Sequence, residues 1–216
     1  MHFLVKAGLQ KVLSCLPGSE NWNYLFQRHV TRSLPRSDEY FLDKVVNTAY
    51  RHFTFFLKHC PGVCVSEARF FEFGAGWDLI VPLAYYSFGV QKQTLVDIHP
   101  HMRFELVNVT ISQFAKHKAD LQNHLGCSLR VDALPIRALS DLSVRFGIEF
   151  LAPVDAGNTG LPKGAFDFIS SSLTLEHIPS DGIIRILQES YRLLKPGGVM
   201  TVSYTHLRAH ETSLHL

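Results

Sequence analysis

The sequence is poor in the features that mark several large protein classes. It has four cysteines in 216 residues, too few and too irregularly spaced for a disulfide framework. Cys60 and Cys64 lie four apart, and no second pair follows at the spacing of a zinc site. With Cys15 and Cys127 they read as free thiols in a reducing compartment. Long apolar runs are missing as well. The longest, Leu79 to Val90, is interrupted by Pro82, Ser87 and Gly89, and it falls well short of the roughly 20 apolar residues that cross a bilayer. Met1 to Leu16 alternate apolar and basic positions and resemble neither a secretory signal nor an anchor. Cytoplasmic residence without membrane insertion is therefore expected. Charge is balanced, with 21 basic against 19 acidic residues, a formal net charge of +2 and no long block of either sign. A nucleic-acid binder shows a basic face or stripe, and none is evident, so no nucleic-acid partner is expected.

Apolar and aromatic side chains are abundant. Hydrophobic residues make up 46% of the chain and 16 of them are Phe, enough for one substantial core with a helical extension. The first 65 residues read as helical. One helix is expected near Phe3 to Leu16, ending at Pro17-Gly18, and a second from Asn21 to Leu34, stopping before Pro35. Ser37 is placed to cap a third, with Asp38 and Glu39 in its first turn. Its apolar residues Phe41, Val45, Val46, Ala49, Phe53 and Phe56 recur at helical spacing and should pack on the following domain or lid a pocket.

From Arg69 short strands alternate with helices. Strands are predicted at Arg69–Phe73, Thr94–Val96, Ile148–Leu151, Phe166–Ser170 and Val199–Ser203. Helices are predicted from Asp78 to Phe88, His101 to Leu125, Leu139 to Phe146 and Asp181 to Leu194, the last capped by Ser180. Ile183, Leu187, Tyr191 and Leu194 form one stripe on that helix. Such alternation is the signature of an α/β fold, a parallel sheet covered by helices, which binds ligands across the carboxyl ends of its strands.

Gly74-Ala75-Gly76 lies between the first strand and its helix. Absent side chains permit a tight turn and let a ligand approach the backbone, while the helix start offers unpaired amides. Asp97 ends the second strand, where a carboxylate can accept hydrogen bonds from ribose hydroxyls. The same pair would suit NAD, but the dinucleotide fingerprint needs a third glycine where Leu79 stands. Taken singly, each residue has an ordinary explanation: Glu72 as a strand-end residue, Asp97 and Asp155 as loop residues, His177 as a structural hydrogen bonder.

As a set, the motifs resemble the class I S-adenosylmethionine-dependent methyltransferases over about Ala68 to Ser203. Phe71-Glu72-Phe73-Gly74-Ala75-Gly76 is similar to the family's first motif, with Asp78 at its third glycine. Val154-Asp155-Ala156 is similar to the acidic and small residues beside adenine; Val131-Asp132-Ala133 is a rival that sits too early relative to the strands. Phe166 through Pro179, with Leu194-Lys195-Pro196-Gly197-Gly198-Val199, resembles the fourth and fifth strands of small-molecule methyltransferases.

The resemblance implies a Rossmann-like three-layer methyltransferase domain at 66–203, behind a helical extension or lid at 1–65. It implies S-adenosyl-L-methionine as cofactor, held by Glu72, Gly74, Ala75, Gly76, Asp97, Ile98, Asp155, Ala156 and Ser171, with His177 as the candidate acid–base residue. No metal is assigned. The implied activity is methyl transfer to a small molecule, with the N-terminal helices closing over that substrate or mediating oligomerisation. A noncatalytic nucleotide-binding or assembly protein and an NAD-dependent oxidoreductase remain as alternatives.

The stretch Val202 to Ser213 resembles translated adapter read-through at the ends of metagenomic gene predictions. Residues 204–216 are thus expected to be non-native and the domain truncated at its carboxyl end, with an exposed sheet edge. His206 and His210 accordingly receive no role.

Overall fold

The computed structural model describes Tyr24, Gln27, Arg28 and residues 33–203. The two helices expected before Pro35 and the tail at 204–216 fall outside the described residues, apart from those three positions and Ser33-Leu34.

Ser37 caps α1 (Asp38–Asp43), its hydroxyl accepting from the Tyr40 amide. The chain passes through a π-helical segment (Lys44–Tyr50) into α2 (Arg51–His59). Phe41, Val45, Ala49, Phe53 and Phe56 are all buried. Most of these steps are four residues, which drift around an α-helix of 3.6 residues per turn. The wider turn of the π segment keeps the stripe facing one way. That stripe belongs to the same core as Phe70 of the first strand and Leu83, Ala84 and Tyr85 of the helix that follows it.

β1 (Arg69–Phe73) is followed by α3 (Ile80–Ser87), β2 (Lys92–Val96), α4 (Phe104–Leu125), α5 (Leu139–Phe146) and β3 (Ile148–Leu151). β4 (Phe166–Ser172), α6 (Ser180–Leu193) and β5 (Leu194–Ser203) complete the described chain. The strands are parallel and ordered β3-β2-β1-β4-β5, a doubly wound Rossmann-like sheet. The order reverses between β1 and β4, which opens a crevice at their carboxyl ends. One core packs α2, α3 and α4 on the sheet; the other places Ile186 and Leu193 of α6 against Phe71, Phe73 and Ile169.

The stripe predicted on α6 divides on folding. Ile183 and Leu194 pack against the core and Ile186, Glu189, Ser190 and Leu193 are buried, whereas Leu187 is 46% and Tyr191 84% exposed. The sheet contacts thus keep Ile183 and Leu194 of that stripe and turn Leu187 and Tyr191 away. Ser180 is the first residue of α6 rather than its cap. The described cysteines Cys60, Cys64 and Cys127 are free. No helix among the described residues is long and apolar enough to cross a membrane.

Candidate functional site

Two cavities open over the carboxyl ends of the strands. The larger, about 450 Å³, is lined by Gly74, Asp97, Ile98, Val154, Asp155, Ala156, Thr174 and His177, with Ile178 and Arg185 opposite. The smaller, about 180 Å³, is lined by Glu72, Gly74, Ala75, Gly76, Asp78 and Thr174, together with Tyr40 and Lys44 from the N-terminal helix and Arg36 from the segment before it. Gly74 and Thr174 line both, so the two cavities adjoin there. A further cavity of about 550 Å³ lies around the starts of β2 and β3 and contains none of the residues singled out from sequence.

Gly74 has φ +70° and donates its amide to the Val96 carbonyl at 3.0 Å. A Cβ there would fall 2.1 Å from Thr174 Oγ1, so only glycine fits the turn as it stands. Leu79, where the dinucleotide pattern would want glycine, takes φ +52° all the same and is fully buried. Leu79, not Asp78 at the start of the expected helix, caps α3; the Asp78 carboxylate stands one place earlier and accepts the Ile80 amide at 3.4 Å. Trp77 is stacked between the rings of Tyr24 and His101, each 5.3 Å away, which anchors the outer side of the loop.

Asp97 is 8% exposed and accepts from the His99 amide at 3.2 Å. Its carbonyl receives the Val154 amide at 2.8 Å, tying the end of β2 to the loop that carries Asp155. Asp155 accepts from the Gly157 amide at 2.8 Å, a local turn that fixes its carboxylate on the cavity wall. Its rival Asp132 lies outside both cavities, paired with Arg145 at 2.7 Å. Ile98 is 59% exposed at the cavity mouth, an apolar surface that a bound ring could cover.

Glu72 is 3% exposed, and its Oε2 has no hydrogen-bond partner. Burial pushes its carboxyl up to about 8, with the Lys44 charge pulling the other way. Ser171 is fully buried and lines neither cavity; its hydroxyl donates to the Phe73 carbonyl at 3.1 Å, clamping the ends of β4 and β1 together. His177 ends a short 3-10 turn (Leu175–His177), its side chain mostly exposed and its Nε2 3.5 Å from Glu176 Oε1. It sits on the Asp97–Asp155 side of the crevice rather than beside Glu72.

Sequence reasoning missed Arg36, Tyr40, Lys44 and Thr174. Thr174 lay inside the motif after β4 and could have been proposed from it. Tyr40 and Lys44 are polar positions on an amphipathic helix, where spacing gives a buried stripe but not which neighbour its flank reaches, and Arg36 lies in the segment just before its cap.

A family model described as "Methyltransferase domain" matches residues 45–215. No curated protein matches. Among solved structures, the chain is similar to the YcgJ protein from Bacillus subtilis, with 21% identity, 70% of this chain and 50% of that one covered, and a TM-score of 0.41. It is similar to an S-adenosylmethionine dependent methyltransferase from Mesorhizobium loti, with 18% identity, 67% and 50% covered, and a TM-score of 0.38. It is also similar to phosphoethanolamine N-methyltransferase 1 from Haemonchus contortus, solved with phosphoethanolamine and S-adenosylhomocysteine, with 12% identity, 85% and 31% covered, and a TM-score of 0.41. The chain thus spans about half the length of the first two and less of the third. With the family model covering most of its length, the chain belongs to the methyltransferase-domain family.

Proposed function

We propose that this chain holds S-adenosylmethionine across the two adjoining cavities and transfers its methyl group to a small-molecule acceptor. The observation that carries the reading is the junction at Gly74. A side chain is excluded there by φ and by Thr174, the larger cavity presents a strand-end carboxylate, and the smaller presents a buried carboxylate with an unsatisfied oxygen. An adenosine bearing an amino-acid tail matches that sequence of surfaces.

In this assignment Asp97 accepts hydrogen bonds from the ribose hydroxyls, as a carboxylate at the end of the second strand does in dinucleotide sites. Ile98, Asp155 and Ala156 frame the adenine. The backbone of Gly74, Ala75 and Gly76 lies against the sulfur-bearing chain, and Glu72 receives the ammonium group. Ser171 supports that site from behind through its bond to the Phe73 carbonyl. When bound, S-adenosylmethionine supplies a sulfonium-activated methyl carbon and departs as S-adenosylhomocysteine. The chain contributes position and electrostatics. His177, exposed on the crevice wall, is assigned the proton released by an oxygen or nitrogen acceptor.

The test is incubation of the full chain with methyl-labelled cofactor and a fractionated metabolite extract. Label should move into a small molecule. His177→Ala should slow that transfer about 100-fold while leaving S-adenosylhomocysteine affinity unchanged. Label entering only protein or RNA would contradict the acceptor class, and unchanged turnover in His177→Ala would remove that residue from the chemistry.

A further inference from the structure

We infer that Lys44 receives the carboxylate of the cofactor's amino-acid end, forming with Glu72 a two-charge seat that selects ligands carrying that end. The inference rests on the adjoining cavities being the cofactor site.

Four charged side chains line the smaller cavity: Arg36, Lys44, Glu72 and Asp78. Two of them are already engaged. The Arg36 guanidinium meets Asp78 at 3.4 Å, donates to the Ser33 carbonyl at 3.3 Å and lies 4.6 Å from the Tyr40 ring centre. Asp78 also accepts the Ile80 amide. Lys44 and Glu72 remain. Glu72 keeps an unpartnered, buried Oε2. The Lys44 ammonium makes no ion pair or hydrogen bond with any described residue.

The two groups nevertheless feel each other. Lys44 is the one charge that draws the Glu72 carboxyl down against burial, and Glu72 draws the half-buried Lys44 up against the same effect. A cation and an acid that face one small cavity without closing on each other are costly to keep desolvated. A ligand presenting an ammonium and a carboxylate on neighbouring atoms satisfies both, and an α-amino acid is the simplest such group. The cavity of about 180 Å³ suits a group of that size and adjoins the larger one at Gly74. The amides of Ala75 and Gly76 donate to no acceptor among the described residues, which adds positive potential on the carboxylate's side.

The local backbone explains how a lysine so far upstream reaches this place. Lys44 opens the π-helical segment, between the buried anchors Phe41 and Val45. The flank that carries it, with Tyr40 one turn earlier, lines the cavity beside the glycine loop, and departures from α geometry recur at functional sites.

Two probes separate this inference from the reading beneath it: S-adenosylhomocysteine, and 5′-methylthioadenosine, which lacks the amino-acid end. Calorimetric titration of the full chain should show Lys44→Met weakening S-adenosylhomocysteine on the order of 30-fold, the loss expected for one charge-assisted contact. Methylthioadenosine affinity should be unchanged, and Lys44→Arg should restore most of the loss. Equal weakening of both ligands would assign Lys44 to structure instead, and no weakening of either would remove it from the site; each overturns the inference while leaving the cofactor reading in place. A wild-type chain that bound neither ligand would overturn both.

Discussion

At Glu72, burial and a neighbouring cation pull in opposite directions, and burial wins. The carboxyl titrates near 8 in the folded chain against an ordinary value of 4.5. Between those values the unfolded chain has released a proton that the folded chain retains. Folding stability contributed by this group is therefore present below about 4.5 and is lost as pH rises toward about 8. Urea unfolding at pH 5 and pH 8 should show that loss, and Glu72→Gln should remove it; a slope that survives the substitution would contradict the assignment. The same group makes cofactor binding proton-linked. An arriving ammonium favours the carboxylate, so at pH 7 S-adenosylhomocysteine should expel about one proton, measurable by titration in buffers of different ionisation enthalpy. Gly74 offers a second test at this scale. Alanine there meets both a positive φ and the Thr174 hydroxyl. Gly74→Ala should cost at least about 1 kcal/mol from the backbone alone and weaken cofactor binding further; wild-type stability and affinity would show the turn to be more permissive than its geometry indicates.

At the level of elements, much of the fold could be read in advance. α5 and the edges of β1 and β3 fall where the hydrophobic period and the flanking glycines put them. Strand-end placement also put Asp155, rather than Asp132, on the crevice wall. What spacing left open was the direction in which a helix turns its flanks. The π segment, the entry of Arg36, Tyr40 and Lys44 into the smaller cavity, and the outward turn of Leu187 and Tyr191 are all set by tertiary contacts. Ser171 shows the same limit in a strand. Alternation places it on a face, but only packing reveals that its hydroxyl is spent on Phe73. The N-terminal helix, expected to pack on the domain or lid a pocket, shares its core: Phe56 is fully buried with its ring 4.8 Å from Phe70 and 5.7 Å from Phe168. Phe56→Ala should therefore cost about 3–5 kcal/mol in a single unfolding transition. A loss below about 1 kcal/mol, or a separate early transition, would show the helix to be only loosely attached.

Across the whole molecule, the order β3-β2-β1-β4-β5 brings residues from distant parts of the sequence to one crevice. Glu72 comes from β1 and Gly74 from the turn just after it, Asp97 from the residue that follows β2, Asp155 from the loop after β3, Thr174 and His177 from the segment after β4, and Lys44 from the helix that precedes them all. Right-handed crossovers in a parallel sheet produce that convergence of five separate stretches of the chain. The central claim is that this crevice is one continuous cofactor site. Calorimetric titration of the full chain with S-adenosylhomocysteine, alongside NAD and an Asp97→Ala variant, tests it most directly. The account predicts saturable one-to-one binding of S-adenosylhomocysteine, none of NAD, and at least tenfold weakening in Asp97→Ala, roughly the worth of a charged hydrogen bond. Binding of NAD in its place, or S-adenosylhomocysteine binding indifferent to Asp97, would contradict it.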